Sequence, residues 1–313
     1  MIRETMKRIA EASGSPPAIE VARLAALGQQ DLGEFRAAWE ELSPERRRAV
    51  LHLAVQLAEN DVELGFGVLF KACLADPDAD VRAAAIEGLS EDEEFRTADR
   101  LAKLLREDPA ENVRVAAALG LSRFALMAEL GTLYAASAAR VRAALLATAT
   151  DPSESSEVRR RAIEAVGALS DPSVEGLVRA AYADPNPKMR ASAVYAMGRT
   201  CDERWLETIL RELESETPEM RYEAARAAGE IESPRAIVLL IALLDDADVE
   251  VRLAAVGALG DIGGDVARRA LQRCAQSENS AVRAAALEAL GEVNLNTDPL
   301  SISPFLKDST RTI

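Results

Sequence analysis

An arginine preceded by Val or Met recurs along this chain at Arg82, Arg114, Arg159, Arg190, Arg221, Arg252 and Arg283. The successive steps are 32, 45, 31, 31, 31 and 31 residues. A period this regular restricts the fold to copies of one small unit laid side by side. Each arginine sits in the same phrase, as in DPNPKMRASAVYAMG (184–198) and DADVEVRLAAVGALG (246–260). A polar turn leads into an alanine-rich run. The long step carries about 14 residues more than its neighbours, placed within 127–158.

Columns in this register predict the packing. Three residues after each arginine stands alanine: Ala85, Ala117, Ala162, Ala193, Ala224, Ala255 and Ala286. Six after it only Gly or Ala occurs, from Gly88 to Ala289. Four and seven after it the residues are mostly larger and apolar, such as Ile86 and Leu89 or Val256 and Leu259. Spacings of three and four share one helix face. That face is therefore expected to pack, its small side chains letting neighbouring helices approach closely. Glycines eight after the arginine (Gly167, Gly198, Gly229, Gly260, Gly291) are expected where the helix stops.

A second segment with helical spacing precedes each phrase, for example DERWLETILRELES and GDVARRALQRCAQS. The unit is thus helix–turn–helix. One unit alone cannot bury the apolar faces of both helices, so units must stack. The expected fold is all-α, a right-handed α-solenoid of about eight such repeats.

The pattern D-x-x-x-x-V-R-x-x-A-x-x-A-L-G resembles HEAT repeats of the short bacterial type, first associated with phycobilisome bilin lyases. The resemblance runs from Asn60 to Val293 and implies a bacterial protein. Residues 31–59, with Trp39 and LSPERRR, resemble a divergent capping repeat in which Ser43 is the N-cap and Pro44 the first helical residue. The chain then divides into a helical or flexible extension (1–30), the array (31–293, with a long repeat around 124–170) and a tail (294–313). The resemblance also implies that turn acids pair with the recurring arginines as a ladder. Asp76, Asp108, Asp184 and Asp246 stand six residues before their arginine, whereas Ser153, Ser215 and Ser277 depart from the pattern.

Chemistry is sparse. The one histidine, His52, is expected on the surface of the capping helix, and no His–Glu set exists for an iron site such as that of deoxyhypusine hydroxylase-like HEAT enzymes. Cys73 and Cys274 fall in a core column, and Cys201 falls in a turn with nothing beside it to activate a thiol. Trp205 shares a column with Phe66, Val174, Ala236 and Ala267 and is expected in the core. SEDEEF (90–95) reads as a capping box, and Gly263-Gly264 as a turn. Neither a catalytic residue nor a cofactor or metal site is expected.

The net charge of −15 disfavours nucleic acid and anionic membranes as partners. The sequence lacks a signal peptide and a spanning segment, so a cytoplasmic protein is expected, as a monomer or weak homodimer. In HEAT arrays the second helix of each unit lines the concave side. Its exposed columns carry Arg160, Arg161 and Glu164, then Ser192, Tyr195 and Arg199, then Tyr222, Glu223, Arg226 and Glu230. Tyr and Arg are the residues that most often anchor interfaces. These ten residues are the candidate site for a protein or peptide, and the gathered arginines point to an anionic feature on it. The expected function is a non-enzymatic interaction scaffold. The alternatives are bilin lyase-like or tetrapyrrole-chaperone activity and, behind it, a DNA-lesion-binding enzyme on a HEAT-like frame. In the tail, PLSISPFL (299–306) fits either a docking peptide or a segment folded back over the edge of the last repeat.

Overall fold

A computed structural model describes residues 2–61 and 63–297, the last six as backbone only. The described residues form eighteen α-helices joined by short turns, with no strand among them. They fall into two compact units that meet in the sequence between Leu169 and Ser170.

In the first unit, α1 (Ile2–Glu11), α2 (Ala18–Ala22), α3 (Leu32–Glu40) and α4 (Pro44–Asn60) make one end. The N-terminal residues are helical and packed here: α1 lies on α3 and α2 on α4, burying Ile2, Met6, Ile9, Val21 and Leu24. Pro44 opens α4 behind Ser43, whose hydroxyl accepts the Arg46 N–H at 3.3 Å. The repeats follow as α5 (Gly67–Cys73) with α6 (Ala79–Glu87), α7 (Phe95–Glu107) with α8 (Glu111–Glu129), and α9 (Ala135–Thr150) with α10 (Ser156–Val166). The extra residues of the long step are absorbed as added turns. Helix α8 has 19 residues and α9 has 16, against 9 in α6.

The second unit holds four pairs: α11 (Val174–Tyr182) with α12 (Pro187–Arg199), α13 (Leu206–Glu212) with α14 (Pro218–Ile231), α15 (Ile237–Leu243) with α16 (Val249–Ile262), and α17 (Gly264–Cys274) with α18 (Ser280–Thr297). Within each unit each second helix packs on its own first helix and on the second helices of that unit's adjacent pairs. The alanine column is completely buried throughout, from Ala85 to Ala286. Three of the column glycines do not stop their helices. A Cβ on Gly198 would lie 2.6 Å from the Ala227 Cα, one on Gly229 3.0 Å from the Ala258 Cα, and one on Gly260 2.9 Å from the Ala289 Cβ. They are contact points where the next helix comes too close for a side chain. Only Gly167 caps a helix end.

The recurring arginines tie the turns together. Arg82 donates to its own turn's carbonyls at Asp76 (2.8 Å) and Pro77 (3.1 Å) and, with two bonds of 2.8 and 2.7 Å, to the carboxylate of Asp108 one repeat on. Arg221 repeats this with the Ser215 carbonyl and Asp246. The turn acid therefore serves the arginine of the preceding repeat, and its own arginine takes its carbonyl. Two members were not visible in the register. Arg47 of α4 donates to Asp76 at 2.7 Å, and Glu154 replaces the acid missing at Ser153, meeting Arg114 at 2.8 and 2.9 Å. Arg190, Arg252 and Arg283 donate to their own turns' carbonyls, and Arg159 lies half-buried on α10.

Candidate interaction surface

The ten candidate residues fall in both units. Arg160, Arg161 and Glu164 lie on α10 of the first, and the other seven on α12 and α14 of the second. On α10, Arg160 donates to Glu157 at 2.6 and 2.5 Å and to Glu164 at 3.3 Å, and Arg161 meets Glu164 at 2.8 Å. With Glu157 these side chains form a neutral set of two arginines and two carboxylates along one helix.

On α12 and α14 the spacing of one turn brings Tyr195, Tyr222 and Arg226 into a stack. The Arg226 guanidinium carbon sits 5.0 Å from the Tyr195 ring centre and 5.7 Å from that of Tyr222. Such cation–π contacts hold a long side chain in one place without removing its charge. Desolvation acts to lower the Arg226 pKa, but Glu223, 3.7 Å away, and the two phenols outweigh it, so its pKa is raised. The Arg226 side chain remains 42% exposed. Arg199 crosses to Glu230, with two contacts of 3.2 Å.

Ser192 corrects the expected set: it is buried, at 3% exposure. Treating the face opposite the alanine column as open ignores that a second helix is packed on three sides, which leaves a narrow outward strip. Each arginine of the set already faces a carboxylate on its own or the neighbouring helix.

A groove of about 690 Å³ runs on from the stack between α14 and α16. Its floor is Leu253, Ala254 and Gly257, and Glu230, Glu232, Glu250 and Asp261 stand along it with Tyr222 and Arg226. Glu232 is held at the end of α14 in the left-handed region, φ 55°, which turns the chain at the groove's edge. In the first unit a second groove, of about 660 Å³, crosses α4, α6 and α8 over Ile86, Val115, Ala116 and Leu119. Its rim carries Arg48, paired with Asp80, and the exposed His52. The small side chains of Ala83, Ala84 and Ala116 leave room for the groove.

Trp205 and its column mates Phe66, Val174, Ala236 and Ala267 are buried. Cys73 is buried, and burial, then the Asp76 carboxylate, push its thiol pKa far up. Cys274 is only half-buried and Cys201 is exposed, with φ 49°. The Cys201 thiol is raised too, by desolvation and then by Glu230, the opposite of an activated thiol. Gly263 and Gly264 take φ of 66° and 84° and form the expected turn. SEDEEF is not a capping box, because no side chain caps α7. Its acids instead receive Lys71, 2.6 Å from Asp92, and Arg123, which meets Glu91 and Glu93. Among the described residues no group of three or more His, Cys, Asp or Glu is placed to hold a metal, and no helix is long and apolar enough to cross a membrane.

The family model for HEAT repeats matches residues 67–147, 142–210, 174–248, 206–291 and 238–310. No functionally curated protein matches the chain in sequence. Among solved structures, the complex of CpcE and CpcF of phycocyanin lyase from Nostoc sp. PCC7120 is similar at 16% identity and TM-score 0.55, covering 91% of this chain and 97% of that one. YibA of Escherichia coli is similar at 16% identity and TM-score 0.46 (90% and 98% covered), and human deoxyhypusine hydroxylase at 17% and 0.39 (93% and 97%). The chain belongs to the HEAT-repeat family.

Proposed function

We propose that this HEAT-repeat chain is a non-enzymatic scaffold that holds a segment of a partner protein on the second-helix strip of its second unit. The observation that carries the reading is the open stack of Tyr195, Arg226 and Tyr222 beside the groove between α14 and α16. Flat aromatic faces and a fixed guanidinium offer large contact area at little ordering cost, the composition of interface anchors. The groove's small floor admits an extended chain. Glu232 and Glu250 at its edges suit Lys or Arg side chains on that chain more than acidic ones.

The second unit works in this reading as a comb. The repeated core keeps the spacing of the second helices constant, and one strip of variable residues supplies recognition. Nucleic acid and anionic lipid fit the acidic surface poorly, and a cytoplasmic protein is the setting in which such a scaffold would act. The likeness to the phycocyanin lyase is one of fold.

The test compares capture of partner proteins by the wild type with capture by Tyr222→Ala and Arg226→Ala, each on a soluble, fully helical protein. Loss of a retained protein in both variants, with recovery in Tyr222→Phe, supports the site. Equal retention by all three sinks it.

A further inference from the structure

The last repeat exposes what every other repeat buries. In the column four after each arginine, Ile86, Ala118, Ile163, Val194, Ala225 and Val256 are all buried, but Leu287 of α18 is 58% exposed. Seven after, Leu89 to Leu259 are buried and Leu290 is only half-buried. Eight after, Gly198, Gly229 and Gly260 each touch the following second helix, while a Cβ on Gly291 would meet nothing within 4 Å. The stack therefore ends on a ready-made seam for one more element, floored by Leu287, Leu290 and Gly291. An apolar seam left in water is a cost that repeat arrays meet with a cap. At the other end the chain supplies that cap itself, through α1 and α2.

Residues 298–313 follow α18 directly and lie outside the described residues. Their sequence places Leu300, Ile302, Phe305 and Leu306 between Pro299 and Lys307. Two prolines, Pro299 and Pro304, rule out a regular helix there and favour an extended run. Leu287 stands ten residues before Thr297, a rise of about 15 Å along the helix. An extended chain turning back from Thr297 covers about 3.3 Å per residue, so it comes level with Leu287 about five residues on, at Ile302 for an immediate reversal and at Leu306 for a turn of about four residues. Length, direction and apolar content match the seam. We propose that residues 298–313 cap the array in cis, laying Leu300, Ile302, Phe305 and Leu306 over Leu290, Gly291 and Leu287.

Hydrogen exchange on the full chain tests this. In the wild type, amides of 300–306 exchange about tenfold or more slowly than in an unstructured peptide, independently of protein concentration. Phe305→Ser combined with Leu306→Ser returns them to the free rate and speeds exchange in α18. Leu287→Ser, at a side chain already mostly in water and so harmless to the fold, releases 300–306 in the same way. Free-rate exchange of 300–306 in the wild type overturns the proposal. So does protection that survives Leu287→Ser, which would seat the segment elsewhere. Protection of α18 that fades on dilution would assign the seam to a second copy of the chain.

Discussion

Replacing Asp76 with alanine should loosen the first unit more than any other single change in the turns. Its side chain is 2% exposed and accepts from Trp39 Nε1 at 2.8 Å, from Arg47 Nη1 at 2.7 and 2.8 Å, and from the Asp78 N–H at 2.9 Å. Arg47, at 8% exposure, would stay behind as a buried cation without its carboxylate. Removing one partner of such a pair costs about 3–5 kcal/mol, because the remaining charge is left desolvated. With a urea dependence of about 1–3 kcal/mol per molar, the midpoint should fall by about 1–5 M. Trp39 is itself a ligand of Asp76, so its fluorescence in a Trp205→Phe background reports the event locally. Asp76→Asn, which keeps an acceptor for the indole and the turn, should fall between. The reasoning fails if Asp76→Ala costs no more than Arg235→Ala, which breaks an exposed pair with Glu207.

The glycine column separates contact from propensity. Gly198→Ala should destabilise by about 1–3 kcal/mol, since its Cβ would strike the Ala227 backbone, whereas Gly176→Ala on α11, with open space around it, should stabilise by about 0.5–1 kcal/mol; thermal melts distinguish the two. Acid should weaken the rungs. The Arg221 hydrogen bonds hold the Asp246 carboxyl below its usual 3.8, and at Glu154 burial pushes upward but Arg114 and the Ser155 N–H outweigh it. A depressed folded pKa gives stability that is present above the unfolded value and lost as pH falls through the folded one. Stability should therefore be flat from neutral pH to about pH 5 and decline below about pH 4. Asp246→Asn should flatten part of that decline in pH-dependent urea melts, and an unchanged slope would remove the rung from the account.

The part of this fold that repeats was legible, because every alanine of the third column is buried where its register placed it. Spacing within one helix encodes that face directly. The ladder was only half legible. Its pairs join residues 25 to 40 apart, and two partners, Arg47 and Glu154, lie off the register. Ser192 failed because a sequence shows which helix face is small and apolar but not how many neighbours surround the other faces. The Tyr195–Arg226–Tyr222 stack could be suspected from composition, yet its geometry depends on two helices meeting side by side. The groove over Val115 and Leu119 left almost no sequence signal, because its mark is the absence of bulk.

Photo-crosslinking from a single position tests the central claim most directly. A benzoylphenylalanine in place of Tyr222 keeps an aromatic ring in the stack, and one placed at Val238, 74% exposed on the first helix α15, serves as reference. The scaffold reading predicts a discrete protein adduct from position 222 that is missing from position 238 and lost when Arg226→Ala is added. Adducts of equal yield from both positions, or one that survives Arg226→Ala undiminished, would contradict it.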